Sequence, residues 1–133
     1  MYQIQKHAWG FKLTFAGFIS KDEMSRWVQE SKAAVRGKSG AFGVFVDMRD
    51  LKPLAPDVQE VMVEGQMAYK QAGMNRSVVV VDSTITAMQF KRLARSSGIY
   101  EWERYVSSTE AGWEDAAMSW ITDALDPDAV AAV

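Results

Sequence analysis

Two aspartates close strongly apolar runs: Asp47 follows Phe42–Val46, and Asp82 follows Val78–Val81. Arg49 lies two residues beyond the first. Ser83 and Thr84 directly follow the second. Together these types can hold a polar group. Arg49 offers a cation for a carboxylate or phosphate. A helix that starts at Ser83 or Thr84 offers free amides with partial positive charge. Two carboxylates on neighbouring strands can also share acid–base work. The same residues have a commoner, structural use: strand-end Asp tidies loop backbone, helix-start Ser caps, and Arg is solvated.

Lys91, Arg92 and Arg95 form a second group. Lys91 and Arg95 are i,i+4 neighbours, with Arg92 alongside. They can meet an acidic partner or a phosphate, although a solvated helix face is the usual role of such a run. His7, the lone histidine, sits on a strand without a nearby acid or serine and reads as structural. No P-loop, dinucleotide fingerprint, nucleophile elbow or metal-ligand spacing is present. With no cysteine, disulfides and thiolate chemistry are excluded. The chain therefore reads as a non-enzyme with no cofactor and no metal.

Composition narrows the setting. A chain of 133 residues and 14.9 kDa suits one domain over residues 1–133, with residues 125–133 as a fraying tail. Folding should bury about two-thirds of its surface, enough for a core without staples. The net charge of −2 lacks the basic balance that general nucleic-acid binding needs. No apolar run approaches the roughly 20 residues of a membrane span, and Met1–Gly10 carries no signal-peptide core. Cytoplasm is the default location. Five Trp and eight Met exceed ordinary use. Most belong in the core. Trp9, Phe18, Met67, Met74 and Trp102 fall off the clearest stripes and can line a pocket or a partner face.

These residues need a scaffold, and the hydrophobic pattern supplies one. Tyr2–Trp9 and Phe11–Ala16 alternate around Gly10, which predicts an antiparallel hairpin. Ser20-Lys21-Asp22-Glu23 is a capping box, and Met24, Trp27, Val28, Ser31 and Val35 follow at helical spacing. A helix over 21–36 is predicted. Phe42–Met48 and Val78–Val81 read as strands covered on both faces, closed by Asp47 and Asp82. Between them a helix begins near Pro56 and runs to about Gly73. Another follows Ser83 or Thr84 and stops at Gly98. Trp102–Val106 reads as an edge strand. Ser107-Ser108-Thr109-Glu110 reads as a second capping box for a last helix through Trp113, Trp120 and Ile121. The result is an α/β fold: a mixed sheet, an N-terminal hairpin plus parallel strands, with about four helices.

Three segments carry a family likeness: Phe15-Ala16-Gly17-Phe18-Ile19, Phe45-Val46-Asp47-Met48-Arg49-Asp50-Leu51 and Val79-Val80-Val81-Asp82-Ser83. With the element order, over about residues 2–124, they resemble the STAS superfamily, nearest its SpoIIAA-like branch of small stand-alone bacterial proteins. Antagonist-type STAS domains carry Asp-x-Ser after the central strand, the serine being a phosphorylation switch. Here the third position is Arg49. The resemblance thus implies a STAS-like scaffold without the switch serine. Its expected role is regulatory or protein-interacting, at Asp47, Arg49, Asp82, Ser83, Thr84 and Arg92. Apolar or lipid-like ligands, suggested for SpoIIAA-like proteins, give the alternative: a small apolar or anionic ligand. A homodimer is one outlet for the aromatic surplus.

Overall fold

The computed structural model describes residues 1–131. The alternating N-terminal segments pair as a hairpin, β1 (Tyr2–His7) against β2 (Gly10–Gly17), in register from Tyr2↔Phe15 to His7↔Gly10. Next come α1 (Lys21–Val35), β3 (Phe42–Leu51), α2 (Pro56–Ala72), β4 (Met74–Val81) and α3 (Thr84–Ser97). A 3₁₀ turn (Tyr100–Trp102), β5 (Glu103–Ser107), α4 (Trp113–Asp123) and α5 (Pro127–Ala131) complete it. The sheet order is β1-β2-β3-β4-β5, antiparallel in its first pair and parallel thereafter. This is the mixed α/β sheet that the pattern predicts. No helix of the described residues is long and apolar enough to cross a membrane.

The helix boundaries follow from local chemistry. Ser20 accepts from the Glu23 amide at 3.2 Å, as its capping box requires. Pro56 opens α2, where its missing N–H costs nothing. Gly73 and Gly98 end α2 and α3 with φ of 116° and 82°, values that side chains resist.

Two layers of unequal size cover the sheet. Phe11, Leu13, Phe15, Val44, Val46, Met48, Val79 and Val81 meet α1, α2 and α3 in the larger core. Phe45, Val78, Val80 and Val106 meet Ala117, Trp120 and Ile121 of α4 in the smaller one. Trp27 anchors the large core, with Phe15 edge-on at 5.1 Å and Tyr69 stacked at 6.0 Å. Close approach is bought with glycine. A Cβ on Gly65 would fall 2.0 Å from Trp27 Cζ3. Gly10, at φ 150°, would drive one to 1.8 Å from the Gly43 carbonyl oxygen, and one on Gly43 would meet Ile121 Cγ2 at 2.7 Å.

Several expectations need correction. Asp47 does not close β3: it pairs with Thr14 and Val80 inside the ladder, and the strand runs past a bulge to Leu51. A polar side chain is tolerated there because α4 leaves that face partly open. β4 begins at Met74, earlier than the apolar run suggests, and Trp102 lies in the 3₁₀ turn rather than in β5. The second capping box does not form. Ser107 Oγ instead lies 2.7 Å from Thr109 Oγ1 and accepts from the Thr109 amide at 3.3 Å, a local turn. Helix α4 starts later, at Trp113, after Gly112 at φ 77° and without a side-chain cap. Glu114 and Asp115 place negative charge on its first turn. In the segment expected to fray, residues 127–131 form α5, and residues 132–133 lie outside the described residues.

Candidate functional site

The parallel strands end along one rim of the sheet, and the chain leaves β4 there through Asp82, Ser83 and Thr84. Ser83 is the N-cap of α3 and accepts from the Thr86 amide at 3.4 Å. Between this turn, the end of β5 and the α4–α5 corner lies a groove of about 690 Å³. Val81, Val106, Ala87 and Ala116 give it apolar surface, Trp113 and Leu125 stand at its sides, and Tyr105 and Lys91 border it toward α3. Its charged lining is uneven. Asp82, Glu110, Asp115 and Asp128 contribute four carboxylates, against the single ammonium of Lys91.

The groove continues along β5. A smaller hollow of about 190 Å³ shares Lys91, Tyr105 and Asp128 with it and adds Tyr100, Glu101, Glu103 and Arg104. Arg104 fixes the corner between them. It donates to both Asp126 oxygens at 2.9 and 3.0 Å, to the Glu101 carbonyl at 2.9 Å, and lies 4.5 Å from the Trp120 ring centre. The Asp126 bond comes first among the causes that hold the guanidinium above its usual range.

The six residues expected to act together separate into three places. Asp82, Ser83 and Thr84 line the groove. Asp47 and Arg49 sit on the α4 face of β3 and bind each other: the Arg49 amide, Nε and Nη2 donate to the Asp47 carboxylate at 3.1, 3.0 and 2.8 Å. Burial pushes the Asp47 carboxyl up, but the bonds from Arg49 together outweigh it and leave it below the usual range. The Arg49 guanidinium also covers Trp113, 4.8 Å from the ring centre. Arg49 is therefore a paired cation that steadies one wall of the groove from behind. Arg92 turns away, to Gln59 of α2. Of the other basic residues on α3, Lys91 reaches the groove and Arg95 stacks on Tyr100 at 4.3 Å. His7 stacks on Trp9 at 4.9 Å.

Large apolar side chains are also exposed at this end of the sheet. Phe18 follows β2 and is 72% exposed; Ile85 and Met88 on the first turns of α3 are 67% and 66% exposed. Met67 is half-exposed on α2, whereas Met74 is buried.

Between the sheet and α1–α3, where a Trp- and Met-lined ligand pocket is conceivable from sequence, packing leaves a void of about 30 Å³. That is room for about one water molecule. The void borders a carboxyl that the sequence does not advertise. Glu103 is buried, accepting from Ser77 Oγ at 2.8 Å and from the Tyr105 hydroxyl. Burial pushes it up to about 7, although both hydroxyls oppose the shift. Burial, and then the adjacent Glu103 charge, push the Tyr105 phenol well above its ordinary value. Strand parity explains the placement. Arg104 and Val106 take the α4 face, so Glu103 and Tyr105 must face the large core, and the register sets Glu103 beside Ser77.

Among the described residues no three His, Asp or Glu side chains gather as a metal site would require. Comparison with known proteins returns no match: no protein-family model, curated protein or solved structure matches this chain.

Proposed function

We propose that the chain is a non-enzymatic protein-interaction module whose groove takes a basic, partly apolar segment of a partner protein. The observation that carries this reading is the charge of the groove among the described residues: one ammonium against four carboxylates, of which Asp128 lies 3.8 Å from Arg104 and the other three make no ion pair, around an apolar floor. A cation-bearing side chain gains there and an anion does not, while the floor rewards apolar neighbours. The exposed Ile85 and Met88, on the turns of α3 whose Thr84 and Ala87 line the groove, favour a macromolecule over a small solute, since apolar groups beside a recess mark contact surfaces. A STAS-like affiliation, resting on the three segments and the element order, and a cytoplasmic setting belong to the same proposal. Regulation by an Asp-x-Ser switch is no part of it, because position 49 is arginine.

Fluorescence anisotropy tests the reading with two labelled hexapeptides, alternating Lys–Leu and alternating Glu–Leu. The Lys–Leu probe is expected to bind, more weakly as salt rises, and to lose at least fivefold in affinity on Asp115→Lys. Equal binding of both probes, or none, overturns it. A second reading, a small amphiphilic ligand, is favoured by the volume alone, which falls within the roughly 300–1,000 Å³ of ligand sites. Native mass spectrometry of protein purified from cells separates the two, because a retained small molecule shifts the mass.

A further inference from the structure

Among the described residues the outer edge of β1 has no strand paired to it. Met1 and Ala16 exchange backbone bonds in both directions, at 2.7 and 2.9 Å. An antiparallel ladder alternates, so Gln3, Gln5 and His7 also turn their amides and carbonyls to β2, while Tyr2, Ile4 and Lys6 turn theirs outward. Among the described residues nothing bonds to those outward groups. The usual protections against edge pairing are missing too: β1 has no proline, no bulge and no covering helix, and its one ordinary safeguard is Lys6.

We propose that this edge pairs with β1 of a second copy of the chain, antiparallel and centred on Ile4. The register is self-complementary. Residues that bond outward must lie directly opposite one another, and the register that pairs all three sets Ile4 against Ile4 and Tyr2 against Lys6 at both ends. On the helix face, two partly buried isoleucines meet at the centre. On the other face Gln3 meets Gln5, so no like charges are apposed. Lys6 makes no ion pair within its own chain among the described residues. In the pair it arrives beside Tyr2, on whose hydroxyl Glu30, Arg26 and Glu23 all act, so the ammonium enters a surrounding of two carboxylates and one guanidinium across the twofold axis. The five-stranded sheet becomes one of ten strands. Because the copies run in opposite directions, the two grooves open at opposite ends, and one dimer can hold two partners. This inference does not depend on what the groove binds.

Sedimentation of the full chain at about 100 µM, where a small strand-to-strand interface should be populated, is expected to give twice 14.9 kDa. Lys6→Pro removes an outward N–H and the Lys6 ammonium without taking a bond from β2, and is expected to leave a folded monomer. Lys6→Glu is expected to weaken the dimer at least tenfold, and Lys6→Glu with Glu30→Lys to restore it. The swap pair decides the matter if the proline variant does not fold. A monomeric wild type, a dimer unaffected by Lys6→Pro, or a charge swap without recovery would each overturn the proposal.

Discussion

Glu103→Gln isolates the energetic cost of the buried carboxyl. Burial raises this group from 4.5 to about 7, so the folded chain prefers it protonated. Its contribution is fully favourable below pH 4.5, is lost as the pH climbs to about 7, and stays lost above that. Each pH unit in that window costs about 1.4 kcal/mol, which brings the charged form to a cost of about 3 kcal/mol near neutrality. Glutamine keeps the shape, accepts through its carbonyl from one hydroxyl, and never ionises. Urea unfolding of both proteins from pH 4.5 to pH 8 should show the difference in stability moving by about 3 kcal/mol toward the variant. For a chain of this length that corresponds to roughly 10 °C in Tm. Other groups cancel in the comparison, including Asp47 and Asp126, which are held low and weaken both proteins only in acid. Parallel pH profiles for the two proteins would refute the reasoning, because they would mean that Glu103 meets solvent in the folded chain.

Two further substitutions probe the frame of the site. Gly65→Ala puts a methyl 2.0 Å from the Trp27 ring and should cost about 2 kcal/mol or more, read as a lower urea midpoint with unchanged slope. Arg104→Ala removes the bidentate pair with Asp126 and the cover of the Trp120 ring. It should cost about 1–2 kcal/mol and speed amide exchange at Asp126 and Asp128, whereas unchanged exchange would show that α5 is held by other contacts.

What was legible in the sequence was whatever depends on neighbours in the chain. Ser20 and Glu23 marked a helix start, Gly73 and Gly98 marked two ends, and the valine run of β4 marked a buried strand. The full length of β3 was not legible, because Asp47, Arg49 and Asp50 interrupt its apolar run and the pairing partners of Asp50 and Leu51, Ala16 and Gly17, lie far back in the chain. The start of α4 was missed because Ser107 and Thr109 satisfy each other locally, which spends the hydroxyls that a cap needs. At the site, the turn at Asp82–Thr84 was readable from its position after a strand. Apart from Val81, Ala87 and Lys91 on either side of that turn, the rest of the groove comes from residues 105 to 128, brought to it only by the pairing of β5 with β4. Asp47 and Arg49 looked like a ligand grip for the same reason: an Asp and an Arg two apart on one strand face answer each other, and sequence spacing alone does not tell that pair from a free one. Glu103 was hidden by its neighbour Arg104, since adjacent charges on an edge strand read as solvent-facing until the register shows that one of them must point inward.

The seat of α4 carries an evolutionary consequence. Gly10, Gly43 and Ile121 occupy one stack, strand on strand on helix, with no spare atom between them. A lineage that gains a side chain at position 43 must lose volume at 121 or lift α4 away from the sheet, and lifting it would open the wall formed by Trp113. Positions 43 and 121 are therefore bound to drift together, whereas position 10, blocked by backbone, has no compensating change available and should stay fixed wherever this architecture recurs.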